Sequence, residues 1–190
     1  YYCAWDLAIG QRERNDYSVG IVVGVDEYDK LFVVDCVRGR WDGFELVEQI
    51  LDLYETWRPG VVGIEKSHIE MALGPFLQKR VRERKLHEAY FRDLKPGRRD
   101  KEARARAIQG RMQQGMVSIP RDPLWVGPLV AELLRFPNGV HDDQVDALAW
   151  IGLMMTEFAT YFEPIQHIPS WRDKLDNIAK GDTKKTAMSA

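Results

Sequence analysis

The chain has 190 residues, a formal net charge of −2, and 45% hydrophobic against 29% charged residues. That is an ordinary soluble composition with room for one domain and a proper core. No apolar run is long enough to span a bilayer, no secretory leader pattern opens the sequence, and the two cysteines, Cys3 and Cys36, make no disulfide framework, so a reducing, cytoplasmic setting is expected.

The sequence opens without Met inside the core-like run YYCAWDLAIG, which is expected to belong to a domain of a longer protein. Residues 2 to 9 are apolar around Asp6, as in a central strand buried on both faces. DYSVGIVVGVDE and KLFVVDCVRG are rich in Val and Ile and are separated by a polar turn around Tyr28 and Asp29, which predicts an antiparallel hairpin. GFELVEQILDLYETW sets Phe44, Val47, Ile50, Leu51 and Tyr54 at helical spacing, and Pro59–Gly60 stops that helix. VVGIEKS reads as a short buried strand ending at Glu65. A helix from Met71 to Arg84 follows, with Gly74–Pro75 near its start, then a strand in HEAYFRDL.

DKEARARAIQGRMQQG predicts a helix with Asp100 as N-cap and Gly115 at its stop. VSIP suits a small edge strand. Two further helices are expected, Trp125 to Arg135 with Pro128 in its first turn, and His141 to about Phe158. From Tyr161 periodicity is lost, and the small, polar KGDTKKTAMSA is expected to be disordered. The domain is thus expected over residues 1–160 and a tail over 161–190. The order gives an α/β fold with a mixed five-stranded sheet, a hairpin on one side and parallel crossovers on the other, flanked by helices.

Charge is spread unevenly. Between Lys79 and Arg111 stand thirteen Lys or Arg against five Asp or Glu, so the rest of the chain is acidic. This suits either an acidic site beside a basic nucleic-acid surface or a salt-bridged helix face. Three acidic positions stand out. Asp6 and Glu65 lie in apolar strands, where an unpaired charge costs several kcal/mol or more. HDDQVDALAW opens an apolar helix with Asp142, Asp143 and Asp146, whose spacings of three and four residues let either pair share a face.

The helix dipole favours acids there, and a divalent cation would offset their remaining repulsion. Oxygen-only ligands suit Mg²⁺ or Mn²⁺, and two ions about 4 Å apart can activate a water and stabilise a phosphodiester's leaving oxygen. Taken singly, Asp142 suits an ordinary N-cap, and a buried salt bridge would account for Asp6 or Glu65. Their combination favours the cation site, with His141 a cap or outer-shell residue.

WDLAIGQRERNDYSVGIVVG, VVGIEKS and FPNGVHDDQVDALAW together resemble the C-terminal nuclease domain of the large terminase subunit of tailed bacteriophages. The resemblance runs from about Tyr2 to Met155. It implies a ribonuclease-H-like fold related to Holliday-junction resolvases, with Asp6 as the first-strand ligand bridging two ions, Glu65 as the second-strand acid and Asp143 completing a catalytic triad. Asp146 matches a position that is acidic in related resolvases and would assist a metal. Asp142 is an extra acid, and Asp16 is read as turn chemistry. The implied activity is cleavage of concatemeric double-stranded viral DNA during packaging, in the host cytoplasm at the procapsid, with an ATPase motor domain, a small terminase subunit and a portal as partners. The chain has no G-x-x-x-x-G-K-[ST] loop and should not hydrolyse ATP by itself.

On this reading RDLKPGRRDKEARARAIQGR flanks the acidic pocket, and Lys95, Arg98, Arg99, Lys101 and Arg104 hold DNA phosphates. Two competing readings remain: a junction resolvase of the same fold, and a non-catalytic docking module of the packaging motor.

Overall fold

The computed structural model describes residues 1–8, 17–65, 68–95 and 101–159. Its sheet has six strands in the order β5-β4-β1-β2-β3-β6. The three opening strands are β1 (Tyr2–Asp6), β2 (Ser18–Val25) and β3 (Leu31–Gly39), paired antiparallel as a meander. At the β2–β3 turn the Asp26 carboxylate accepts from the backbone N–H groups of Tyr28 and Lys30, and Asp29 takes the left-handed conformation with φ 63°. β4 (Val61–Glu65) then pairs parallel to β1, β5 (Phe91–Leu94) parallel to β4, and β6 (Val117–Ser118) parallel to β3. The candidate edge strand in VSIP is therefore real, and the sheet has one strand more than the five expected. Two paired residues are too few to leave a periodic signal.

Helix α1 (Gly43–Trp57) begins at a capping box. The Asp42 carboxylate accepts from the N–H groups of Phe44 and Glu45, and Glu45 accepts from the Asp42 N–H. It ends at Arg58, left-handed at φ 45°, just before Pro59. Its buried row (Leu46, Val47, Ile50, Leu51, Leu53, Tyr54) packs with Cys3, Trp5, Val22, Val62 and Ile64 from one sheet face. Phe44, expected on that row, is instead 67% exposed and meets Phe76 edge-on at 4.8 Å.

Phe76 belongs to α2 (His68–Glu83), which starts three residues earlier than expected and so carries Pro75 inside it. The first strand stops at Asp6 rather than running on to residue 9, because its register with β2 ends at the Asp6–Val19 pair.

Three helices complete the described chain: α3 (Lys101–Gln113), α4 (Val126–Arg135) and α5 (Asp143–Ala159). α5 lies on the sheet face opposite α1. Gly63 makes the close approach possible, since a Cβ there would stand 2.7 Å from Met154 Sδ and 2.6 Å from Leu94 Cδ1. A second close approach joins α5 to α3, where Gly152 faces the backbone of Ile108. Ala105, Val145 and Ala149, with Leu133 and Phe136, seal α3, α4 and α5 together. These helices belong to a compact unit spanning Tyr1–Glu157; the expected tail from Tyr161 lies outside the described residues, as does Asp16.

Candidate active site

The first two acids meet through strand register. β1 and β4 pair in parallel from Tyr2–Val61 to Trp5–Ile64, so one further step sets Asp6 beside Glu65. Side chains alternate along a strand, which puts both carboxylates on the Gly63 face, under α5. Burial, together with the neighbouring Glu65, Asp146 and Asp143 charges, pushes the Asp6 carboxyl well above the ordinary carboxylate range. A hydrogen bond with Glu65 favours its protonated form further.

Helix α5 supplies the other acids. Asp143 is its first residue and Asp146 lies one turn on; both side chains are buried. Asp143 Oδ2 accepts from the Tyr17 N–H at 3.4 Å and lies 3.9 Å from both Arg38 Nη2 and His141 Nδ1. Asp146 Oδ1 is 3.3 Å from Arg104 Nη2. Asp142 is half-buried, and its carbonyl accepts from the Asp146 N–H at 2.8 Å.

The site's outer frame was not legible beforehand. Glu132, on α4, is buried and accepts from the Gln144 N–H at 2.6 Å, from Gln144 Nε2 at 2.7 Å and from the Val145 N–H at 3.2 Å. A neighbouring helix thus caps α5 and fixes where its aspartates begin. Trp150 donates its indole N–H to Glu65 Oε2 at 3.1 Å, while the Arg104 guanidinium sits 4.9 Å over the Trp150 ring. One arginine and one tryptophan therefore tie Asp146 and Glu65 into a single bracket. A lone Glu within the apolar helix VGPLVAELLR, and a Trp one turn beyond Asp146 on the same helix face, were the available signals.

Arg104 corrects an expectation. Expected on DNA phosphates, it is only 5% exposed and its charge is committed to Asp146; the spacing of a basic helix does not show which side faces the core. Lys95 is exposed just past β5, as a phosphate contact requires. Arg98 and Arg99 lie outside the described residues, as does the Lys101 side chain. Much of the remaining basic stretch is ion-paired, as a salt-bridged helix face would be. Arg80 pairs with Glu48 and Glu83, Arg84 with Glu48, Asp52 and Glu55, Arg92 with Glu157, and Arg111 with Asp29.

Asp6, Glu65, Asp143 and Asp146 form an oxygen-only donor set, the chemistry of a hard divalent cation. Burial beside three other carboxylates is what holds the Asp6 carboxyl up. They are not a closed cage: among the described residues, no three His, Cys, Asp or Glu side chains are grouped closely enough to hold an ion as they stand. Cys3 and Cys36 are free and buried, and burial raises both thiols, Cys36 to about 12, so neither offers a ready thiolate ligand.

Residues 3–155 match the family described as the terminase RNaseH-like domain. No curated protein matches the sequence. Among solved structures, the fowlpox virus Holliday junction resolvase is similar at 11% identity and TM-score 0.51, covering 85% of this chain and 99% of that one. The same resolvase with Holliday junction DNA is similar at 12% identity and TM-score 0.50, covering 83% and 97%. Thermus thermophilus RuvC follows at 13% identity and TM-score 0.46, covering 82% and 96%. At such identities the likeness to the resolvase is one of fold.

Proposed function

The chain belongs to the terminase RNaseH-like domain family, and from that premise we propose that it is a divalent-cation-dependent endonuclease that cuts double-stranded viral DNA during genome packaging. The observation that carries this reading is the register of β1 and β4, which sets Asp6 beside Glu65 on the face that α5 covers with Asp143 and Asp146, where burial and those three neighbouring charges push the Asp6 carboxyl up.

Asp6, Glu65 and Asp143 would hold Mg²⁺ or Mn²⁺, with Asp146 in support. The cation supplies Lewis-acid stabilisation of the phosphoryl oxygens as the phosphodiester is hydrolysed. The chain's own contribution is placement. β1 and β4 present Asp6 and Glu65 side by side, the Trp150 N–H fixes Glu65, and Glu132 fixes the end of α5 that carries Asp143. No base is read by any of these groups, which suits cutting with little sequence preference. The working setting would be the procapsid in the host cytoplasm, beside the motor domain, small subunit and portal.

The test is cleavage of supercoiled plasmid in Mg²⁺ or Mn²⁺, with EDTA as control. Wild-type protein should nick and linearise the plasmid, and Asp6→Asn should not. Full activity in EDTA, or in the Asp6→Asn protein, would sink the assignment. A four-way junction in the same assay examines the resolvase reading, which predicts that the junction is cut in preference to linear duplex.

A further inference from the structure

Four converging carboxylates repel a phosphodiester unless positive charge stands close by. Arg80, Arg84, Arg92, Arg104 and Arg111 are poorly placed to provide it, because each is paired with a carboxylate. A different group lies against Asp143. The Arg38 guanidinium sits 3.9 Å over the Tyr17 ring and Arg40 4.3 Å from the same ring, with His141 edge-on to it at 5.5 Å. Stacking on an aromatic face holds a guanidinium while leaving its N–H edge available.

That edge is incompletely used. Arg38 Nη1 and Nη2 lie 3.9 Å from Glu132 and Asp143, too far for hydrogen bonds. Arg38 Nε is buried with no hydrogen-bond partner among the described residues, and so is His141 Nδ1. Arg38, Arg135 and His141 line an open cavity of about 200 Å³ together with Glu132, Gly139 and Val140. The Glu132 carboxylate accepts from Gln144 and Val145, and against its one negative charge the wall sets the guanidiniums of Arg38 and Arg135. A phosphate fits that chemistry, since a guanidinium fork can meet two of its oxygens at once.

We propose that Arg38, Arg135 and His141 form a subsite for one backbone phosphate of the DNA strand, beside the carboxylate site, with Tyr17 the plate that steadies Arg38. The proposal rests on the nuclease reading above and adds where the strand is gripped. The subsite lies on the β3–α4 side of the acids, away from the basic helix.

The test is fluorescence anisotropy with a labelled DNA duplex in EDTA, where no cutting is expected, over about 50 to 200 mM salt. Arg38→Ala and Arg135→Ala should each weaken binding and lower the slope of log affinity against log salt by about 1, the signature of one lost phosphate contact. Arg38→Lys should restore the slope but not the full affinity. Thermal unfolding checks each variant. Arg135 is exposed, so its variant keeps the test valid if Arg38→Ala fails to fold.

Folded variants with wild-type affinity and slope overturn the subsite even if the wild-type protein cuts plasmid. Loss of slope in a protein that never cuts upholds the subsite and overturns the nuclease reading instead. A wild-type chain that does not bind duplex overturns the subsite directly.

Discussion

Two clusters of carboxylates lie on opposite faces of the same sheet, and their chemistry runs in opposite directions. Between α1 and α2, Glu48 receives Arg80 and Arg84, and those partners pull its carboxyl down to about 2. Under α5, Asp6 faces Glu65, Asp146 and Asp143, and burial with like charge drives its carboxyl up. Both are carboxylates. The difference is in what surrounds each charge: arginines crowd Glu48, whereas the neighbours that act most on Asp6 are other carboxylates.

The largest expected effect is on cutting. Asp6→Asn should lower plasmid cleavage by several orders of magnitude, while Glu48→Gln should leave it at the wild-type level in the same assay; equal losses would erase the contrast. Next comes Trp150→Phe, which keeps the ring under Arg104 and removes only the N–H to Glu65. Partners that orient a ligand typically contribute 10–100-fold in metal affinity, so Mn²⁺ binding measured by calorimetry should weaken by about 10-fold or more, with thermal stability little changed.

The third contrast is in pH. The folded pKa of Asp6 lies above its unfolded value, so its contribution favours folding most at pH below the unfolded pKa and is lost as pH rises through the folded one. Cation-free protein should therefore lose stability over that rise. Asp6→Asn should be the more stable protein at the alkaline end, and Mg²⁺ or Mn²⁺ should raise the wild-type melting temperature more than that of the variant.

Glu48 has the reverse sign: its contribution is present above the ordinary glutamate pKa and is lost as pH falls through about 2. Its partners are partly exposed, so Glu48→Gln should cost no more than about 1 kcal/mol at neutral pH in denaturant titration, and should flatten the acid limb of the stability profile.

The acids were legible in sequence because an aspartate inside YCAWD and a glutamate closing VVGIE violate the apolar pattern of a buried strand, and because HDDQVD repeats charge at helical spacing. The meander, α1 and the parallel crossovers followed from local pattern as well. What could not be read depends on contacts far apart in the chain. Arg104 reads as one basic residue among many until Asp146, 42 residues on, is placed against it. Arg38 reads as the polar end of a strand, and Phe44 matches the helical spacing yet faces outward, because α2 rather than the sheet lies beside it. Charge counts over Lys79–Arg111 miss the point for the same reason: they do not show which arginines are already spent on α1.

The Glu132 cap has a consequence for the electric field at the acidic end of α5. The exposed N–H groups of a first helical turn carry roughly half a positive charge, which would soothe Asp143 and Asp146 and weaken their pull on a cation. Glu132 lays a full negative charge over the Gln144 and Val145 N–H groups. Those N–H groups are turned toward Glu132 rather than toward the aspartates, so on the proposed function a carboxylate of α4 that never touches the ion would help to set how strongly the site draws a cation.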